Sequence, residues 1–365
     1  MPTRRQLLGM APALLLPGAL LSPRAGRAGP SLGEQKFLFI YAYGGWDTTM
    51  VFTPMQDNSA VDTETDATEA TAGGVRFVDH AERPSVRSFF ESYGDRTCVI
   101  NGVEVRSITH ERCQKLLFTG GSGEAEDWAV TIASQGEADY PVPHLVLTGP
   151  AFAGEHLASV VRTGEAGQLS ALMDGRALDE SDLFVSLPSS SASSLEDALL
   201  RSNIERFNRD ARDGRLRMGQ GYDSALSNLD LLESMGSEVD LVPDDAGCRR
   251  DIAEDAAALL NAFEAGMSRC GLTQDDGWCS WTWDTHSNNS LQVKHYEELF
   301  AYLNQIMADL DGRTSPSGAP LSDEVTIVVF SEMGRHPKLT GGGRAHWTYT
   351  SAMLIGGGVR GGQVI

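Results

Sequence analysis

Residues 325–336 read VTIVVFSEMGRH and contain the strongest strand signal of the chain. The run from Val325 to Phe330 is β-branched or aromatic throughout, which predicts a strand buried on both faces. Glu332 follows where this apolar run ends. In open α/β sheets, ligands collect beyond the carboxyl ends of the strands. The stretch therefore predicts a buried strand whose end carries a side chain of a functional site.

Shorter apolar runs predict further strands, at Lys36–Ala42, Thr97–Val103, His144–Thr148 and Ser351–Ile355. Helical spacing of apolar residues predicts helices that start near Thr109 and that cover residues 252–267 and 296–310. Because strands alternate with helices, we predict an α/β fold with a mostly parallel sheet sandwiched by helices. We expect the domain to span residues 35–365, with a helical insertion at about 195–270. Residues 54–74 lack periodicity and predict a solvated loop.

The charge balance excludes one class of partner. The chain has 365 residues, with 29 basic and 50 acidic side chains and a formal charge of −21. Because such a surface repels phosphate backbones, we expect no nucleic-acid partner. Clustered carboxylates still favour divalent cations.

The first 28 residues have the features of an export signal. Arg4 and Arg5 precede an apolar run that proline interrupts, and small residues follow near Ala25. The run is too short for a stable membrane span. The paired arginines resemble a twin-arginine signal, which predicts the twin-arginine machinery as a partner and a periplasmic or secreted protein. An ordinary secretory signal is the alternative.

The cysteines do not form a zinc-binding pattern. The chain has 5 of them, and none shows CxxC spacing. In an oxidising compartment, Cys270 and Cys279 are candidates for a short disulfide loop, although the sequence leaves the pairing open. An odd number of cysteines leaves at least one free thiol.

Carboxylates and imidazoles recur after the predicted strands. The candidate metal ligands are Asp47, Asp284, His286, Glu332 and His346. This mixture of donors suits zinc or manganese, so one or two divalent ions are the expected cofactors.

Each candidate also has a simpler interpretation. Asp47 follows two glycines and can close a turn, Asp284 and His286 can be ordinary loop residues, and His346 can pack beside Trp347. Thr109 precedes a predicted helix, where capping alone would explain it.

Several segments resemble one family in the same order. They are FIYAYGGWDTTM (39–50), THERCQKLLFTGG (109–121), WDTHSNN (283–289) and VVFSEMGRHPKLTGGGRAHWTYTSAMLIGGGVRGG (328–362). They are similar to the family called domain of unknown function 1501, whose proteins often carry twin-arginine signals. That family resembles the alkaline phosphatase and sulfatase superfamily. The resemblance covers about residue 35 to the end.

The resemblance implies roles for these residues. Asp284, His286 and His346 would hold one metal ion, and Asp47 and Glu332 would contribute to a second. The superfamily places its nucleophile at a helix N-terminus, which corresponds here to Thr109 or His110. Arg335 or Arg344 would then bind an oxygen of a small anionic ester substrate.

The sequence also departs from the superfamily pattern. Glu332 and Met333 stand where phosphatases usually have Asp and His, which weakens the second metal site. Three roles stay open for His110: metal ligand, base or phosphoryl acceptor. The alternative is that a water molecule is the group that attacks the ester. The chain stops at Ile365, where the family normally continues, so we expect a missing C-terminal part.

Three functions fit these expectations. The first is an exported metal-dependent hydrolase of phosphate or sulfate esters. The alternative is a catalytically inactive protein of the same fold that binds a ligand or partner at the cell surface. The third is another reaction on the same metal scaffold, such as phosphoryl transfer or isomerisation.

Overall fold

The structure is a computed structural model that describes most of the chain from residue 35 onward. The described residues are 35–136, 140–156, 159–163, 176–178, 184–186, 195, 198–199, 202–203, 205–206 and 251–365. The predicted export signal and most of the predicted helical insertion lie outside these residues.

The described elements alternate between strands and helices along most of the chain. The strands are β1 Lys36–Ala42, β2 Thr68–Ala72, β3 Val75–Asp79, β4 Thr97–Glu104, β5 His144–Val146, β6 Val160–Arg162, β7 Arg176–Leu178, β8 Phe184–Ser186, β9 Cys270–Asp275, β10 Val325–Ser331, β11 Gly334–Arg335, β12 His346–Trp347, β13 Tyr349–Gly356 and β14 Gln363–Val364. The helices are α1 Pro84–Tyr93, α2 His110–Thr119, α3 Trp128–Ser134, α4 Ile252–Glu264, α5 Leu291–Asp311 and α6 Leu321–Glu324.

One large sheet organises the molecule. It has 8 strands in the order β14-β4-β13-β10-β1-β9-β5-β6. Strands β10, β1, β9, β5 and β6 are parallel neighbours, whereas β13 runs antiparallel to β10 and β4. Ala42 at the end of β1 pairs with Ser331 of β10 and Asp275 of β9, so these strands end at one edge. The predicted α/β fold with a mostly parallel sheet is confirmed.

Helices cover both faces of this sheet. Successive side chains of a strand point to opposite faces. Leu38 and Ile40 of β1 therefore join the core beneath α1, α4 and α5. Phe39 and Tyr41 join a second core, which includes Phe118 of α2. Apolar burial on both faces explains why β1 and β10 have continuous apolar sequences.

The connection between β10 and β13 brings a late segment back to the same edge. Residues 332–348 contain the short antiparallel ribbon of β11 and β12 and no helix. Without a helical crossover the chain returns antiparallel, as short connections between neighbouring strands do. His346 in β12 therefore lies close to the ends of β1 and β10.

Two sequence interpretations need correction. Strand β9 was not predicted because Gly271, Gln274 and Asp275 interrupt its apolar run, yet it pairs with β1 in the middle of the sheet. The segment 54–74, predicted as a loop, contains β2, which forms a hairpin with β3. Strand β2 is largely exposed, which explains its polar sequence.

The suggested disulfide loop between Cys270 and Cys279 is wrong. Cys270 is a buried free thiol, as are Cys98 and Cys113. Cys279 is disulfide-bonded, so its bond is made with a different cysteine. Cys270 lies in β9 and is fully buried, and this burial raises the pKa of its thiol.

Among the described helices, none combines the length and the apolar character that a bilayer crossing requires.

Candidate metal centre

Four side chains meet beyond the ends of the strands. His110, Asp284, His286 and His346 each offer one ligand atom, and these atoms all lie within 4.8 Å of one another. We call these residues the four-residue group. They come from three distant parts of the chain, and the fold brings them together.

The strand ends explain this meeting. His110 is the first residue of α2, which follows β4. Asp284 and His286 lie in the loop between β9 and α5, and His346 lies in β12 before β13. Strand β4 also ends at this edge, because its residue Glu104 pairs with Tyr349 at the start of β13.

Two glycines allow the loops to approach closely. Gly44 follows β1 with a φ of 122°, and a Cβ there would lie 2.5 Å from the main-chain nitrogen of Asp284. Gly343 lies against the main-chain oxygen of His286, where a Cβ would overlap it. A larger residue at either position would displace the loop that carries Asp284 and His286.

His110 is held through its Nδ1 atom. This atom lies 2.7 Å from Oε1 of Glu332, a fully buried carboxylate. The main-chain nitrogen of Gly44 and the hydroxyl of Ser331 also donate to Glu332, at 3.0 and 3.1 Å. Nε2 of His110 is buried, lies 3.4 Å from Oδ2 of Asp284 and makes no hydrogen bond of good geometry within the described residues.

His346 is held in the same way. Its Nδ1 lies 2.7 Å from the main-chain oxygen of Ile108. Because a carbonyl oxygen only accepts, Nδ1 carries the hydrogen and Nε2 of the neutral ring carries a lone pair. That Nε2 lies 3.2 Å from Oδ1 of Asp284, and Nε2 of His286 lies 3.0 Å from the same oxygen.

These contacts bring electron-rich atoms close to one another. With hydrogens on Nδ1, the Nε2 lone pairs of His110 and His346 face the carboxylate of Asp284. Lone pairs and a carboxylate repel each other unless a cation lies between them. A proton between these atoms removes the repulsion. A divalent metal ion does the same, and imidazole nitrogen and carboxylate oxygen are suitable ligands for it.

The pKa values follow from the same contacts. Contacts with Asp284 and Glu332 raise the pKa of His110 to about 9, against the effect of its partial burial. Partial burial raises the pKa of Asp284, but the contacts with His110, His346 and Arg335 outweigh it and hold that pKa well below its ordinary value. The pKa of His286 is lowered, mainly by desolvation.

Arg335 supports the group from beneath. Its side chain is fully buried, and its guanidinium lies 2.7 Å from Oδ1 of Asp284. Its other donors reach the main-chain oxygens of Gly44, Gly45, Trp283 and Arg344. This arginine therefore binds the protein's own loops.

Asp47 and Arg344 pair with each other, and neither belongs to the four-residue group. Nε of Arg344 lies 2.9 Å from Oδ2 of the fully buried Asp47. Asn289 donates to the same carboxylate at 2.8 Å, and the main-chain nitrogen of Thr49 donates at 3.1 Å. Arg344 also donates to the main-chain oxygens of His336 and Asp62.

Of the five candidate ligands, the structure brings Asp284, His286 and His346 together. It adds His110, for which the sequence left several roles open. Asp47 and Glu332 lie outside the group. Glu332 contacts the group through His110. Within the described residues, Asp47 makes no direct contact with the group.

Thr109 lies just before α2. It occupies the N-cap position, but its hydroxyl makes no capping hydrogen bond. The residue is exposed, and its hydroxyl lies 3.4 Å from that of Ser107. The capping interpretation is therefore not supported by a side-chain contact.

Tyr43 is a neighbour that the sequence did not single out. Its ring lies 5.8 Å from the ring of His110. Partial burial raises the pKa of its hydroxyl, and the charges of Glu332, Glu111, Asp284 and Asp276 raise it further. Its position directly before Gly44, at the end of a predicted strand, was the available signal.

Comparison with known families adds an identity to this geometry. The family model described as "Protein of unknown function (DUF1501)" matches residues 34–365. The chain belongs to this family. The match to DUF1501 covers all four residues of the group. No curated protein matches the chain.

Among solved structures, this DUF1501 protein is similar to the phosphonate monoester hydrolase of Agrobacterium radiobacter. The two share 11% sequence identity with a TM-score of 0.31, over 91% of this chain and 70% of that chain.

Proposed function

We propose that this DUF1501 protein is an exported metal-dependent hydrolase of phosphate or sulfate esters. The observation that carries the proposal is the convergence of the Nε2 atoms of His110 and His346 on the carboxylate of Asp284. A cation between these atoms would remove the repulsion between the nitrogen lone pairs and the carboxylate.

The four-residue group would hold one zinc or manganese ion. Three imidazoles and one carboxylate are a donor set that these ions accept. Each of the Nδ1 atoms of His110 and His346 already has an acceptor, which is how metal-binding histidines are usually oriented. Because Asp47 is paired with Arg344, we propose one ion and no second ion at Asp47.

A bound ion supplies Lewis-acid polarisation of an ester oxygen and a water of lowered pKa. The protein's own residues do the positioning. Glu332 orients His110, and Arg335 orients Asp284. Helix α2 begins at His110, so its positive N-terminal end favours an anionic group at this position.

Water is the proposed attacking group. Both ring nitrogens of His110 face carboxylates, which leaves neither free for attack on a substrate. The hydroxyl of Thr109 is exposed and contacts Ser107. A Thr109→Ala variant is therefore expected to retain turnover, and a loss of more than about a hundredfold would instead assign the nucleophile to Thr109.

The test combines metal analysis with turnover. The purified mature protein should contain a stoichiometric divalent ion and hydrolyse an aryl phosphate or an aryl sulfate. An Asp284→Asn variant should lose both properties, while Asp311→Asn, a surface change next to Arg96, should keep them. A protein that holds the ion but turns over none of these esters would instead be a binding protein of the same fold.

Export is a separate part of the proposal. It is supported by the sequence of residues 1–28, with Arg4 and Arg5 before the apolar run. Transport in the folded state would allow metal loading in the cytoplasm. The proposed location is the periplasm or the medium.

A further inference from the structure

We infer that the site selects esters with one negative charge, such as phosphate diesters and sulfate monoesters, over phosphate monoesters with two. This inference rests on the proposed function, since it concerns the substrate of the same metal centre. It follows from where the positive and negative side chains lie around the four-residue group.

The positive charge nearest to the group is not available to a substrate. Within the described residues, Arg335 is the one Lys or Arg side chain that pairs with a carboxylate of the group. It is fully buried, and the main-chain oxygens of Gly45 and Trp283 accept from it at 2.7 and 3.0 Å. A substrate cannot reach this guanidinium, so Arg335 balances Asp284 and provides no anion contact.

Other arginines lie close in sequence to residues of the group, but they pair with other carboxylates or lie on a different side of their helix. Arg344 is buried against Asp47. Arg106 pairs with Glu104 at 3.1 Å. Arg112 stands two residues after His110 on α2, and side chains two apart on a helix do not face the same side.

Negative charges, in contrast, lie at the group itself and act on its neighbour Tyr43. Glu332 lies directly behind His110, and Asp284 is a member of the group. The charges of Glu111 and Asp276 reach the hydroxyl of Tyr43, whose ring lies beside His110. Glu111 is exposed at the start of α2.

The charges therefore limit what the site can neutralise. With a divalent ion bound, the charges of Asp284, Glu332 and Arg335 leave a single net positive charge at the centre. A singly charged ester neutralises it. A doubly charged ester leaves an excess negative charge in this partly buried region, which is unfavourable because charges in such regions are poorly screened. The charges of Glu111 and Asp276, which reach the adjacent hydroxyl of Tyr43, add to this effect.

The experiment compares two ligands that differ by one methyl group and one charge. Phenylphosphonate and its monomethyl ester are titrated into the metal-loaded protein by calorimetry at about pH 8.5, well above the second pKa of phosphate-type groups. The monomethyl ester is expected to bind about tenfold more tightly, because it carries one charge fewer. Equal binding, or tighter binding of phenylphosphonate, would overturn the inference.

A charge variant tests the cause. Glu111→Gln removes one negative charge without removing a residue of the group, so it should improve the affinity for phenylphosphonate more than for its monomethyl ester. Glu91→Gln, an exposed change on α1, should alter neither affinity. An unchanged ratio in Glu111→Gln would refute the electrostatic explanation.

The failure of the inference differs from the failure of the proposed function. If the protein holds no stoichiometric ion and binds neither ligand, the hydrolase proposal is wrong and the inference falls with it. If the ion is present and phenylphosphonate binds at least as tightly as the monomethyl ester, only the inference is wrong.

Discussion

Glu332 illustrates how one side chain can orient a candidate metal ligand without itself belonging to the four-residue group. Its carboxylate is fully buried, accepts hydrogen bonds from Gly44 and Ser331, and lies 2.7 Å from Nδ1 of His110. These contacts hold the imidazole with Nε2 toward Asp284. We therefore assign Glu332 a positioning role in the proposed site.

Replacing this carboxylate should weaken metal binding. Glu332→Gln keeps the volume but removes the charge that orients His110, and such changes next to a metal ligand lower metal affinity about 10- to 100-fold. A chelator competition measures this. Glu324→Gln, a buried carboxylate paired with Lys36 at 2.8 Å, is the matched control and should lower stability without changing the affinity. Equal affinities of the wild type and Glu332→Gln would count against the role.

Metal binding should depend on pH through His110. Without the ion, Asp284 and Glu332 raise the pKa of His110 to about 9, so the ring is protonated at neutral pH. An ion must displace this proton from Nε2. The affinity should therefore rise about tenfold per pH unit below pH 9 and level off above it. Titrations in buffers of different ionisation enthalpy count the released proton, and a flat affinity from pH 7 to 9 would contradict the assignment.

The same shift predicts the stability of the metal-free protein. The folded-state pKa of His110 is raised to about 9 from 6.5, so the protonated ring stabilises the folded state. This contribution is fully present below pH 6.5 and is lost as the pH rises through about 9. The difference in unfolding free energy between the wild type and His110→Asn should shrink over this interval, because the variant lacks the titrating ring.

At the scale of elements, helix α5 connects the core on one face of the sheet with the loop that carries Asp284. Phe300 of α5 is fully buried against Phe89, Phe90 and Phe52. The same helix carries Gln292, which donates to the main-chain oxygen of Trp283 at 2.8 Å, just before Asp284. The packing of α5 and the position of Asp284 are therefore linked.

Loss of the Phe300 ring should destabilise the protein strongly. Phe300→Ala leaves a cavity in the aromatic cluster and is expected to cost about 3–5 kcal/mol in the free energy of unfolding. Gln305→Ala, on the exposed side of the same helix, should change it by less than about 0.5 kcal/mol. Denaturant unfolding measures both, and a small effect of Phe300→Ala would show that this cluster is not part of the cooperative core.

The element scale also shows which features a sequence reveals. The apolar run of β10 was sufficient to predict a buried strand and to draw attention to the polar residues at its end. Strand β9 was missed because its composition does not indicate a strand. Its pairing with β1 and β5 on either side holds it in the sheet. Likewise, the sequence suggested Glu332 as a direct metal ligand. In the structure it contacts His110, which lies 222 residues away, and no local sequence pattern indicates this contact. Contacts of that kind depend on the three-dimensional arrangement of the strand ends.

At the scale of the whole molecule, the strand ends predicted where the site lies, but not how its charges pair. Asp284, His286 and His346 were predicted together and lie together. Asp47 and Arg344 were predicted as a ligand and an anion contact, yet they neutralise each other. Both sets of residues follow predicted strands in the same way, and only the folded structure shows that Asp47 and Arg344 are buried against each other.

Export also concerns the whole molecule. If the paired arginines direct folded export, replacing Arg4 and Arg5 with lysines should leave the protein in the cytoplasm with its ion bound. Cell fractionation followed by metal analysis measures this. Unchanged export of the variant would indicate an ordinary secretory signal instead.

The most direct test of the metal centre is the metal content of the purified mature protein. We expect one divalent ion per chain, zinc or manganese, and less than a tenth of that content in Asp284→Asn prepared in the same way, because this carboxylate contacts all three imidazoles. A wild-type protein without bound metal, or an Asp284→Asn variant with the full content, would contradict it.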